Sequence, residues 1–134
     1  MATWIMPCNV KHLDIVSWFK EKDSVVWKAS TGIRVDDTIY VYVGAPYSKI
    51  LFLCKVINDK IDKSELSSNE YARVGKKQDK WKYMQLRLVY TYENGIPLSK
   101  LQELGMYSVQ RQVRLNPVVL TYISSVNKQL GIEL

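Results

Sequence analysis

The stretch "TIYVYVGAPYSKILFLCKVI", residues 38–57, constrains the fold more than any other part of the chain. Two runs rich in β-branched and aromatic residues flank a short segment holding Gly44 and Pro46, the pattern of two strands joined by a hairpin loop. Upstream, "ATWIMP" reads as a first strand that stops at Pro7, because proline gives no ladder hydrogen bond. Asn9 then reads as a helix N-cap, with Leu13, Val16 and Phe19 as the buried stripe of a helix reaching about Lys22. Residues 58–80 are polar and read as a long loop with a helical turn at "KSELSSNEYA". "WKYMQLRLVYTY" is a further strand with Met84, Leu86, Leu88 and Tyr90 on one face. "ENGIPLSKLQELG" reads as a turn and a short helix closed by Gly105. In "NPVVLTYISSVNKQLG" Asn116 is the N-cap, Pro117 the first helical residue, and Val119, Ile123, Val126 and Leu130 one apolar side. Four or more strands with helices near both ends predict an α+β domain spanning residues 1–134.

Composition bounds what such a domain does. With 134 residues, 47% of them hydrophobic, the chain is long enough to bury roughly two-thirds of its unfolded surface without a staple. Cys8 and Cys54 are far apart and lack further Cys or His at ligand spacing, so they read as small buried hydrophobes in a reducing cytosol and no metal site is expected. No apolar stretch approaches the roughly 18 residues of a membrane span, and the N-terminus lacks a signal-peptide layout, which predicts a soluble, cytoplasmic protein. Adjacent Asp36 and Asp37 read as a solvated turn. Catalytic constellations are missing: there is no Gly-rich phosphate loop, and His12, the single histidine, reads as an exposed helical residue without a partner. Neither a reaction nor a cofactor is expected.

Charge is uneven. Lys and Arg number 19 against 13 Asp and Glu, a net +6. Between residues 73 and 87, Arg73, Lys76, Lys77, Lys80, Lys82 and Arg87 stand against Asp79 alone. That run serves either solubility or a phosphate backbone, whose condensed counterions clustered cations release. Trp81 and Tyr83 lie inside it, and aromatic rings among basic residues can stack on bases.

The segment "VVWKAST" presents Trp27 either as a core plug or as the wall of a pocket. Trp4 and Trp18 lie within the apolar pattern of their own elements and are placed in the core. Tyr47, an aromatic beside Pro46 in the hairpin loop, is placed with Ser48 at the mouth of a pocket.

The order "WIMPCN", a helix, "VVWKAST", "VDDTIYVYVGAPYSKI", "YMQLRLV", "LSKLQELGMYSVQ" and a closing helix resembles EVE domains of the PUA-like superfamily, nearest to bacterial forms found alone or ahead of HNH nuclease modules. It is also similar to YTH domains, through Trp27 and through Trp81 in "QDKWK". The resemblance implies a small curved β-barrel of about five or six strands flanked by helices. It implies a flipped, methylated base held between aromatic rings, in DNA given the restriction-linked relatives, with a nuclease as a possible partner module. Trp27 and Trp81 become cage walls, Ser30 and Thr31 offer polar groups to the base edge, and Asn9 sits near the pocket. Lys28, Lys76, Lys77, Lys80, Lys82, Arg111 and Arg114 become the phosphate-binding set. Two departures stand out: Asp36-Asp37 where relatives have Gly-Asp, and Arg111-Gln112 where relatives often have Gly-Pro. Two other readings remain open, an RNA-binding PUA-like module in RNA modification or translation, and an ASCH-like enzyme acting on modified nucleosides.

Overall fold

The computed structural model describes residues 1–61 and 82–133. The helical turn expected at "KSELSSNEYA" therefore lies outside the described residues, as do Trp81, Lys76, Lys77 and Lys80.

One curled six-stranded sheet organises the chain. In chain order the elements are β1 (Thr3–Cys8), α1 (Ile15–Glu21), β2 (Ser24–Ala29), β3 (Thr38–Val43), β4 (Lys49–Ile61), β5 (Lys82–Pro97), α2 (Leu98–Glu103), β6 (Val113–Arg114) and α3 (Pro117–Gln129). The strands lie in the order β2-β5-β4-β3-β1-β6. β1 and β3 pair in parallel, and the other neighbours are antiparallel.

The central hairpin reads as continuous hydrophobic because both of its faces are covered, as in strands buried on both sides. Ile39, Val41, Val43 and Cys54 face a cluster with Trp4, Met6, Trp27, Met84 and Leu86, closed by Ile15 and Phe19 of α1. Tyr40, Tyr42 and Leu53 face the opposite cluster with Ile5, Tyr92 and Leu101, closed by Val119 and Ile123 of α3. Register shifts along β4 and β5, including one between Ile50 and Phe52, bend the strands and let the sheet curl. Around that bulge Leu51 and Phe52 both join the α1 cluster. Phe52 meets Phe19 edge-on, with centroids 4.9 Å apart.

Several expectations are corrected. Asp14, not Asn9, caps α1: its carboxylate accepts from Ser17 N at 3.2 Å and Ser17 Oγ at 2.7 Å. Asn9 instead organises the preceding turn, where its Oδ1 accepts from Lys11 N at 2.9 Å, so His12 lies in a turn rather than on a helix. β1 continues through Pro7 to Cys8. The proline is tolerated because β6 pairs only with Trp4 and Ile5, leaving no ladder beside Pro7 on that edge. "ENG" belongs to β5 rather than to a turn. There Gly95 adopts φ +70°, and a Cβ would stand 2.9 Å from the Ile50 carbonyl. Residues 58–61, expected in a loop, extend β4. Leu130, expected on the apolar side of α3, is exposed, while Asn127 is buried. The Asn127 amide donates to Tyr40 Oη at 2.9 Å and accepts from the Tyr92 hydroxyl.

The Asp36-Asp37 pair divides its roles. Asp36 takes the left-handed conformation that Asp tolerates, at φ 72°. Asp37 is not solvated but buried, accepting from Ala2 N at 2.9 Å, Trp4 Nε1 at 3.0 Å and Arg34 N at 3.0 Å. Burial is the largest influence on this carboxyl and pushes its pKa up. The donations from Ala2, Arg34 and Trp4 and the nearby N-terminal charge outweigh it and leave the pKa below the usual value.

Both cysteines are buried free thiols. Burial first, and then the charge of Asp14, pushes the Cys8 thiol up to about 12. Burial likewise raises Cys54. Among the described residues, no three His, Cys, Asp or Glu side chains gather into a potential metal site. No described helix is long and apolar enough to cross a membrane.

Candidate functional site

A cavity of about 530 Å³ opens where three separate segments converge. The end of β1 and the connection to α1 supply Pro7, Asn9 and His12; the end of β2 and the residue after it supply Trp27, Lys28 and Ser30; and the segment before β6 supplies Val109 to Gln112. Sheet topology explains the meeting. β6 pairs antiparallel with β1, Arg114 opposite Trp4 and Val113 opposite Ile5, so the residues just before Val113 run back past the end of β1.

Gln112 fastens that segment to β2. Its Oε1 accepts from Ser30 N at 2.7 Å and from Ser30 Oγ at 2.9 Å, and its Nε2 donates to the Lys28 carbonyl at 2.7 Å. Where the resemblance implied a rigid Gly-Pro turn, this chain uses a side-chain clamp. No carboxylate lines the cavity among the described residues, whereas Lys28 and Arg111 do. The rim therefore favours anions.

Of the expected base-binding residues, the cavity brings together Asn9, Trp27 and Ser30. Trp27 is not a free-standing wall: it is 6% exposed, lies in the α1-side core cluster and sits on β2 opposite Met84. Trp27 is a core residue that also lines the cavity. Asn9 stands at the mouth; with its Oδ1 engaged by Lys11 N, its amide nitrogen has no acceptor among the described residues. Thr31 is exposed next to Ser30, and its carbonyl accepts from Arg34 Nη1 at 2.7 Å.

Tyr47 is not brought to this cavity. It lines a separate space of about 260 Å³ with Phe19, Phe52 and Tyr92, next to Lys20 and Lys49. Its neighbour Ser48 lies in the same hairpin loop, at φ 52°. Parallel pairing with β1 brings the β3–β4 hairpin to the end of β1, where Gly44 N donates to the Cys8 carbonyl at 2.9 Å, but Tyr47 lies on the side that faces α1 and β5.

The expected phosphate contacts also divide. Lys28 and Arg111 line the cavity. Arg114 lies outside it with its guanidinium 5.2 Å from the Trp4 ring centroid, a cation–π arrangement. Lys82 directs its ammonium onto the Ile33 carbonyl; burial, and then the nearby Arg34, holds its pKa below the ordinary lysine value. Sequence reasoning missed Gln112 and His12 as site residues. The one available signal was the Arg111-Gln112 departure, which marks where a polar side chain replaces a turn.

No family model matches the chain, and no curated protein matches it. Solved structures do. Human THYN1, solved in complex with DNA containing 5-methylcytosine, is similar with a TM-score of 0.68 at 12% identity, over 96% of this chain and 98% of that one. The ASCH protein of Zymomonas mobilis is similar with a TM-score of 0.62 at 12% identity, over 93% and 95% of the two chains. A protein from Pseudomonas syringae gives a TM-score of 0.68 at 12% identity, over 93% and 99%. The curled sheet, the helices on its two faces and these likenesses together identify the chain's fold as a PUA-like α+β small barrel.

Proposed function

We propose that the chain binds nucleic acid and reads a modified base, methylated cytosine in DNA, turned out of its stack into the cavity lined by Trp27. The observation that carries this reading is the convergence of Asn9, Trp27, Lys28, Ser30 and Arg111, from three distant parts of the sequence, on one cavity. An aromatic ring suits a base, a hydroxyl and an amide suit its edge, and two cations suit the flanking phosphates. The DNA complex of THYN1, a fold neighbour, supports the same ligand class.

Extruding a base costs a few kcal/mol, which stacking and edge contacts must offset. A methyl group helps by filling apolar space. The reading is one of binding without turnover, since neither a carboxylate nor a second imidazole accompanies His12 in the cavity among the described residues. In a cell such a reader would serve restriction or defence by directing a fused or separately encoded nuclease module to modified DNA.

The test is a binding panel of oligonucleotides that differ in one base modification, in DNA and RNA versions. Preference for methylated DNA supports the proposal. Preference for RNA requiring 2′-hydroxyls, or conversion of a modified nucleoside on incubation, would replace it.

A further inference from the structure

The Gln112 clamp fixes the hydrogen-bonding polarity of the cavity. The Ser30 backbone N–H can only donate, and the Lys28 carbonyl can only accept. Gln112 bridges both, at 2.7 Å each. Its oxygen must therefore face Ser30 and its NH2 must face Lys28. The Ser30 hydroxyl lies 2.9 Å from that same oxygen and has one proton, which is committed to it. What remains on Ser30 Oγ is acceptor capacity alone. Ser30 is half-buried and lines the cavity, so a bound base meets an acceptor there.

We infer that Gln112 makes Ser30 an obligate acceptor, and that this polarity lets the cavity separate 5-methylcytosine from thymine. The inference rests on the base-reading function proposed above. The two bases share a ring and a 5-methyl group, so filling apolar space cannot tell them apart. They differ at position 4, where cytosine carries an amine and thymine an oxygen. In a cytosine nucleotide that amine is the only N–H donor on the base, so it is the group Ser30 Oγ receives. Thymine in the same pose sets oxygen against oxygen, leaving two acceptors facing each other away from water. Gln112 is a positioning residue: it acts through Ser30 and the strap it holds.

The experiment measures equilibrium binding of single-stranded DNA carrying one central 5-methylcytosine, thymine or cytosine, so that pairing energy does not enter. The parent is expected to favour 5-methylcytosine over thymine by about tenfold or more, the scale of one edge contact. Gln112→Leu frees the Ser30 hydroxyl to rotate, and the ratio is expected to fall toward one, chiefly through better thymine binding. Gln112→Glu still accepts from Ser30 N and Oγ, so it is expected to keep the ratio even if overall affinity falls. Ser30→Ala removes the acceptor and is expected to lower the ratio by weakening 5-methylcytosine. A parent that prefers 5-methylcytosine to cytosine but not to thymine overturns this inference alone, as does a Gln112→Leu protein that keeps the ratio. A parent indifferent to all three bases overturns the base-reading function beneath it.

Discussion

The indole Nε1 of Trp4 donates to Asp37 Oδ2 at 3.0 Å, tying the first strand to the loop that leads into β3. The same carboxylate holds Ala2 N and Arg34 N, so a single buried anion fixes where β1 begins. Asp37→Ala leaves these donors without it, and a loss of about 3 kcal/mol is expected, read by urea unfolding at neutral pH. The pH dependence has a definite sign. The folded carboxyl titrates below its ordinary value, so its contribution is complete above the unfolded pKa of about 4 and is lost as pH falls through the lower, folded value. Asp37→Asn is expected to flatten that part of the acid limb.

Trp27 separates two roles by the size of its replacement. Because it is buried in the core, Trp27→Ala is expected to cost about 3–5 kcal/mol, as Trp4→Ala should. Loss of binding in that variant would therefore be ambiguous. Trp27→Phe keeps an apolar ring, is expected to stay folded by circular dichroism, and should weaken the methylated ligand through reduced stacking. Undiminished binding by a folded Trp27→Phe would argue that the indole does not floor the ligand.

Lys28 and Arg111 are expected to contact phosphates. Lys28→Gln and Arg111→Gln should each weaken binding to all sequences alike and reduce the salt slope by roughly 0.7–0.9. The preference for the modified base should survive. Arg114→Gln, which removes a cation from the Trp4 ring, is expected to lower stability by about 0.5–1 kcal/mol. A steeper salt slope in either cavity variant would contradict the assignment.

Thiol chemistry reports on opening of the sheet. Burial, and then the charge of Asp14, pushes the Cys8 thiol up to about 12, and burial raises Cys54 as well. At pH 8, Ellman's reagent is expected to modify neither in the folded protein and both in urea. Rapid modification under native conditions would show that the α1-side core is not closed.

Elements governed by local chemistry were legible in the sequence. Asn116 and Pro117 start α3 because a cap and a preset φ act within one turn. The β3–β4 hairpin was legible from its uninterrupted β-branched and aromatic runs. Asp37 was misread because its three donors come from Ala2, Trp4 and Arg34, and only the parallel pairing of β1 with β3 assembles them. The cavity was partly legible through Asn9, Trp27 and Ser30, each carried by resemblance. Gln112 was not, since its partners lie more than eighty residues away and no local pattern marks a long-range clamp. Tyr47 was assigned to the mouth by exposure and aromaticity, which do not say which side of α1 a loop faces.

The most direct test compares backbone and indole NMR shifts of the parent bound to two DNA strands that differ only in one 5-methyl group on cytosine. Shift differences between the two complexes are expected to gather at Asn9, Ser30, residues 109–112 and the Trp27 indole. Differences that fall instead around Tyr47, Lys49 and Leu51, or that are absent while both strands bind, would contradict the reading of the Trp27 cavity as the base site.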